Sequence, residues 1–117
     1  MKKLDGISAT GTQSFSVLAY NGDTVNMAIK YNPATQQWFI NVSWENFVLN
    51  GTRIFSSPNI LNQYDKIIPF GLAVIVDGGG EPFLIDDFSS GRVGLYLLSH
   101  DEVSAVNDFY VSIRDAR

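Results

Sequence analysis

The chain has 117 residues, of which 45% are hydrophobic and 17% charged, and it carries no cysteine and a formal net charge of -4. This length fits one domain with a sizeable core, and the composition excludes a disordered chain, disulfides and thiolate sites. The negative charge argues against nucleic acid and anionic membranes as partners.

Residues 1–11 are mostly polar and rich in small side chains. We expect an N-terminal arm that becomes ordered only against a neighbour. Lys2 and Lys3 are not followed by an apolar segment, so a secretion signal is not expected. The apolar run at 70–76 is too short to span a membrane. These features predict a soluble protein that functions in the cytosol or in an assembly built there.

An alternating pattern predicts the first two strands, at 14–20 and 24–31. Asn21-Gly22 lies between them and favours a tight hairpin, because both residues tolerate positive φ. The side chains of the second strand that are predicted to face the core are Val25, Met27, Ile29 and Tyr31.

Both tryptophans belong to the next predicted strand, at 38–47. They share one apolar face, which the alternation predicts to lie in the core and which consists of Trp38, Ile40, Val42 and Trp44. Phe39 points to the opposite face, where it is a candidate for contact with a partner.

The second Asn-Gly pair, Asn50-Gly51, predicts another hairpin that leads to a short strand at 52–55. The following residues, 56–65, mix turn-forming and apolar side chains. We expect an irregular connection that is held to the core by Ile60, Leu61 and Tyr64.

Two further apolar runs, at 70–76 and 93–98, predict a buried strand pair with a loop thrown outward between them. The loop is acidic, and its three consecutive glycines suggest flexibility. After it, a helical spacing on one face predicts a C-terminal helix capped by Asp101 or Ser99. That face comprises Val103, Val106, Tyr110 and Ile113, although alternation at 109–113 leaves a strand open there.

Together these signals predict an all-β fold, a small antiparallel β-sandwich or partly open barrel of about six to eight strands with a short C-terminal helix or arm. We divide the chain into the N-terminal arm at 1–11, a β domain at 12–99 and a C-terminal extension at 100–117.

The carboxylates of the acidic loop, Asp77, Glu81, Asp86 and Asp87, raise the hypothesis of a Ca²⁺ site, but their spacing does not match an EF-hand. Adjacent aspartates on an extended chain point to opposite faces, which argues against an acid/base pair. His100 is the single histidine, and the sequence does not identify a nucleophile, a base and an orienting group that together would form a catalytic site with it. We predict no enzyme activity, no metal and no cofactor.

The remaining candidates are contacts with a partner. Exposed aromatic side chains and loop carboxylates suit that purpose, and the residues predicted for it are Phe39, Tyr20, Asp77, Glu81, Asp86 and Asp87.

The order of the motifs resembles the baseplate plug family of contractile-tailed phages. The matching stretches are Thr12-Gln13-Ser14-Phe15, Tyr31-Asn32 with Gln37-Trp38-Phe39-Ile40-Asn41-Val42, Asn50-Gly51-Thr52-Arg53-Ile54, residues 71–77, the acidic loop and Arg92-Val93-Gly94-Leu95-Tyr96-Leu97. The resemblance covers residues 12–99, and the chain departs from the family pattern at 56–65.

The resemblance implies a structural subunit that docks in the central hub of the tail baseplate and helps close or organise the tail channel. It implies hub and tail-tube proteins as partners, several copies around a threefold or sixfold axis, and a virion assembled in the bacterial host cytoplasm. Neither specificity for nucleic acid nor membrane insertion is expected.

A different class of function remains open on the residues alone. It is a carbohydrate-binding β-sandwich module that uses exposed aromatics such as Phe39 or Tyr20, with Ca²⁺ at the loop of residues 77–87. A small-ligand-binding barrel is a third possibility.

Overall fold

The computed structural model describes residues 2–18, 22–64 and 66–115, and side-chain burial as far as residue 108. Its elements in these ranges are β1 (Lys2–Lys3), β2 (Thr12–Leu18), β3 (Thr24–Asn32), β4 (Gln37–Trp44), β5 (Phe47–Arg53), a short 3-10 helix (Asn62–Tyr64), β6 (Gly71–Val76), β7 (Val93–Leu98) and α1 (His100–Asp115).

The strands form two antiparallel sheets, one of four strands in the order β2-β3-β4-β5 and one of three in the order β1-β7-β6. The inner faces of the two sheets share one apolar core, and α1 packs on the outer face of the three-stranded sheet. Neither sheet closes on itself. The predicted all-β fold with a C-terminal helix is confirmed, and of the two architectures left open it is the sandwich.

The four-stranded sheet follows the predicted alternation. Val25, Met27 and Ile29 of β3 are buried, and so are Trp38 and Ile40 of β4. The intervening side chains form a mostly polar outer face, because successive residues of a strand point to opposite sides. Residues 19–21, where the first strand and its hairpin were expected to meet, lie outside the described residues.

The prediction of a hairpin turn at Asn50-Gly51 is wrong. The turn between β4 and β5 lies at residues 45–46, where Glu45 has a φ of 50°. Gly51 is inside β5 with a φ of 71°, next to a shift in the strand register, and its N–H donates to Asn41 Oδ1 at 2.7 Å. An Asn-Gly pair serves a β-bulge as well as a turn, since both need a residue that accepts positive φ.

The predicted strand pair β6 and β7 is confirmed, with Gly71 opposite Leu98 and Val76 opposite Val93. Its outer face is covered by α1 through Val103, which packs against Ala73 and Leu98.

A capping box begins α1. The Ser99 hydroxyl accepts the N–H of Glu102 at 3.2 Å, and the Glu102 carboxylate accepts the N–H of Ser99 at 3.1 Å. Of the two predicted caps, Ser99 is therefore the one that forms. The side chains of Tyr110 and Ile113 lie outside the part of the chain whose burial is described.

The N-terminal segment packs within the chain itself, contrary to our expectation that it needs a neighbour. Lys2 and Lys3 pair with Leu97 and Tyr96 of β7, while Leu4 and Ile7 are buried in the core. Backbone pairing with β7 and two buried apolar side chains thus hold this otherwise polar segment on the domain.

The connection at 56–65 is held to the core as predicted. Ile60 and Leu61 are buried, and Tyr64 packs against the core. Asn59, also buried, accepts the N–H groups of Leu61 and Leu72 through its side-chain oxygen, each at 3.0 Å.

Gly51→Ala should destabilise the domain by about 1 kcal/mol, because alanine resists the left-handed backbone of the bulge. Gly11→Ala is the matched control, since Gly11 also has open space around its Cα but no positive φ. Urea unfolding of both variants measures the difference. Equal unfolding midpoints for the two variants would show that the bulge does not constrain residue 51.

Candidate interaction site

The β6–β7 loop, residues 77–92, contains four of the six predicted contact residues and is the best candidate for a functional site. It leaves the strand pair through a bond from the Asp77 N–H to the Arg92 carbonyl, at 2.7 Å. Gly78, Gly79 and Gly80 then all have φ between 82° and 86°. These glycines are needed for their left-handed conformation, so flexibility is not required to explain them.

The second half of the loop is organised around the Asp87 carboxylate. Its Oδ2 accepts the N–H groups of Phe83 and Leu84, at 2.7 and 2.8 Å. The same oxygen forms an ion pair with the Arg92 guanidinium at 2.9 Å. The Asp87 side chain is 1% exposed, and a buried carboxylate needs such charge-assisted donors to offset its loss of hydration.

The carbonyl groups of the same two residues are bound by side chains of the four-stranded sheet. The Tyr31 hydroxyl donates to the Phe83 carbonyl at 2.7 Å, and the Trp38 indole N–H donates to the Leu84 carbonyl at 3.0 Å. The Tyr31 and Trp38 rings pack with their centroids 5.1 Å apart. Residues 83 and 84 are therefore fixed through all four of their backbone polar groups.

This arrangement exposes three consecutive apolar residues, Phe83, Leu84 and Ile85, which we call the apolar tip. Their side chains are 44%, 41% and 40% exposed. Because the backbone of Phe83 and Leu84 is bound to the interior, the tip is held outward in one position. The Arg92 guanidinium lies over the Phe83 ring, 4.7 Å from its centroid, and adds a cation–π contact.

The same loop also carries exposed acidic side chains. Asp77, Glu81 and Asp86 are exposed, and Glu81 also accepts the N–H of Ser56 at 2.6 Å. Within the described residues, no group of three or more His, Cys, Asp or Glu side chains is placed to hold a metal ion. Asp87 already binds three donors inside the chain, and in this structure its side chain is not available at the surface.

The prediction that the loop projects away from the domain is therefore wrong for the backbone of residues 83–88, which folds back onto Tyr31 and Trp38, and only the side chains of residues 83–86 point outward. Asp86 and Asp87 are neighbours with opposite positions, one exposed and one buried. The structure does not bring Phe39 to the loop, because its side chain is on the outer face of the four-stranded sheet, opposite Lys30 and Arg53. Tyr20 lies outside the described residues.

Sequence reasoning missed the apolar tip and the roles of Arg92, Tyr31 and Trp38. One signal was present: three consecutive apolar residues, Phe83 to Ile85, stand in a segment that was not assigned to any strand. Apolar residues without a predicted core position suggest a contact surface.

The fold and the loop define a small β-sandwich whose β6–β7 loop exposes three apolar side chains on a hydrogen-bonded backbone. Among the described helices, none is long and apolar enough to cross a membrane. A family model described as "Cyanophage baseplate Pam3 plug gp18" matches residues 1–101, and the chain belongs to this family of phage baseplate plug proteins. The comparison with curated proteins finds no match.

Family membership confirms the resemblance and extends it over residues 1–11 and the start of α1. It implies a structural, non-enzymatic role in a phage. It also implies a location in the tail baseplate of the virion and association with other baseplate proteins.

Asp87→Asn should destabilise the domain by about 2 kcal/mol, because Arg92 loses its counter-charge and the acceptor for the two loop amides is weakened. Asp86→Asn is the matched control: it removes the same charge one residue earlier from an exposed position, and we expect a change within about 0.5 kcal/mol. Urea unfolding measures both. Equal effects would contradict the anchoring role of Asp87.

Proposed function

We propose that this chain is a plug-like subunit that docks in the central hub of a contractile tail and helps close or organise the tail channel. Its partners in this proposal are the hub and tail-tube proteins, and several copies surround the tail axis with threefold or sixfold symmetry. Family membership supports the proposal, and the observation that carries the docking step is the exposed, rigid apolar tip of the β6–β7 loop.

The tip has the properties of a binding hot spot. Three neighbouring apolar side chains are each about two-fifths exposed, and hot spots combine apolar area with a fixed geometry. Since the backbone of residues 83 and 84 is already bound by Asp87, Tyr31 and Trp38, little conformational entropy is lost when a partner covers the tip. The partner is expected to present an apolar pocket.

The exposed carboxylates of the loop indicate which charges the partner carries beside its apolar pocket. Asp77, Glu81 and Asp86 are exposed carboxylates, and complementary potentials favour lysine or arginine opposite them. In this proposal Asp77, Glu81 and Asp86 contact the partner directly, whereas Asp87 acts by holding the loop. Phe39, on the outer face of the four-stranded sheet, is proposed as a separate contact, and Tyr20 is kept as a proposed contact from the sequence alone.

Leu84→Ser combined with Ile85→Ser should weaken binding to the hub protein of the same phage at least tenfold, about 1.4 kcal/mol, because two central apolar contacts are lost. Co-expression followed by a binding titration of the purified proteins measures this. The matched control is Val48→Ser combined with Ile67→Ser, which removes two apolar side chains of similar or greater exposure elsewhere.

Unchanged binding by the tip variant would contradict docking through the loop. Equal weakening by both variants would mean that general surface hydrophobicity, rather than the tip, drives association. In either case the presence of the unmodified chain in purified virions separates a wrong docking surface from a wrong function: if the unmodified chain is absent from purified tails, it is not a baseplate subunit.

Asp77→Asn combined with Asp86→Asn should slow association with the hub protein and flatten its dependence on salt, because rim charges act mainly on the association rate. The dissociation rate should change little. Stopped-flow or surface binding kinetics at low and high salt test this expectation, and a salt dependence equal to that of the unmodified chain would place the acidic rim outside the contact.

A further inference from the structure

The two sheets have four edges, and three of them are protected. Ser57 covers β6 by exchanging two backbone hydrogen bonds with Val74, at 2.9 and 3.1 Å. β1 covers β7 and is itself only two residues long, both lysines. β5 carries the bulge at Gly51 and ends in Arg53. Covering, short charged strands and bulges are the devices by which proteins prevent unwanted strand pairing.

β2 has none of these devices. Its seven residues, Thr12 to Leu18, contain no charge, proline or glycine. They pair with β3 in an unbroken register, from Thr12 opposite Lys30 to Leu18 opposite Thr24. In the described part of the chain, the outer edge of β2 receives no backbone hydrogen bond. β2 is therefore an edge strand without a bulge, a charge or a covering segment, and such an edge can pair with another strand.

The pairing with β3 determines which groups of β2 are free. The Tyr31 N–H donates to the Gly11 carbonyl at 2.8 Å, and antiparallel strands alternate between bonded and non-bonded pairs. The bonds to β3 therefore fall at Gln13, Phe15 and Val17. The N–H and C=O groups that point away from the sheet belong to the alternate residues Thr12, Ser14, Ser16 and Leu18.

The side chains of β2 determine which kind of strand could pair with its free edge. Phe15 and Val17 are half-buried and pack against the core, so a strand beside them must place apolar side chains on the same face. Ser14 and Ser16 are exposed on the outer face, where short polar neighbours fit best. The required segment is extended, uncharged, about seven residues long and alternates between apolar and polar side chains.

β2 itself meets this description, and we propose that two copies of the chain associate through antiparallel pairing of their β2 strands. A register centred on Phe15 pairs all seven residues. It places Phe15 beside its counterpart and Ser14 opposite Ser16 of the second copy, and the outward backbone groups then bond to one another. The two four-stranded sheets become one continuous sheet of eight strands.

The distribution of charge also favours the edge of β2 as the contact between two copies. Each copy has a net charge of -4, so acidic surfaces such as the β6–β7 loop oppose association of two copies. β2 carries no charge, and Lys30, opposite Thr12, is the charged residue that pairs with it. Two copies therefore approach most easily along β2. This contact is separate from the loop and does not rest on the proposed docking function.

Sedimentation equilibrium over a wide concentration range should show a monomer–dimer equilibrium. Ser14→Lys combined with Ser16→Lys should weaken the dimer about tenfold or more, because like charges then lie directly opposite. Ser14→Glu combined with Ser16→Glu should do the same, and a mixture of the lysine and glutamate chains should form a heterodimer. Val48→Lys combined with Asn50→Lys is the matched control, which adds two lysines to the exposed edge of β5.

Amide hydrogen exchange of the unmodified chain gives a second measurement. Exchange at Ser14 and Ser16 should slow as protein concentration rises, since these N–H groups become bonded only in the dimer. A chain that stays monomeric, a dimer insensitive to the β2 substitutions, or a dimer equally sensitive to the β5 control would overturn the proposal. A dimer lost on Leu84→Ser with Ile85→Ser instead would assign self-association to the loop and would also overturn it.

Discussion

The position of the candidate site depends on one buried carboxylate. Asp87 accepts two loop amides and an arginine through a single oxygen, and a charge in that environment is stable only while its donors remain in place. Loop conformation and ion pairing are therefore coupled. If the loop opened, Arg92 would lose its counter-charge, and the amides of Phe83 and Leu84 would lose their acceptor.

The loop is also coupled to the sandwich as a whole. Tyr31 and Trp38, which bind the carbonyls of the loop, belong to β3 and β4, whereas the loop connects β6 and β7. Contacts between the two sheets therefore determine how the tip is presented. Since the backbone is bound inward, the apolar side chains of the tip remain outside, and their exposure follows from the way in which the backbone polar groups of residues 83 and 84 are satisfied.

Three separate regions of the domain surface differ in their chemical character. The loop combines an apolar tip with carboxylates, the outer face of the four-stranded sheet is mostly polar around Phe39 and Lys30, and the edge of β2 is uncharged. A subunit of a baseplate associates with other baseplate proteins, and distinct surfaces allow different contacts at the same time. In our proposals the loop contributes apolar burial and electrostatic complementarity, and the edge of β2 contributes backbone pairing.

The sequence by itself determined most of the strands and their buried faces and limited the helix cap to Ser99 or Asp101, because alternation and capping are local patterns. It could not distinguish a bulge from a turn at Gly51, since both need positive φ. It also could not tell which of the neighbouring residues Asp86 and Asp87 is buried. Only the tertiary structure decided that Asp87 is buried, that residues 83–85 are exposed and that β2 is the unprotected edge. These properties depend on Tyr31, Trp38 and Ser57, which lie far from the affected residues in the chain and meet them only in the folded domain.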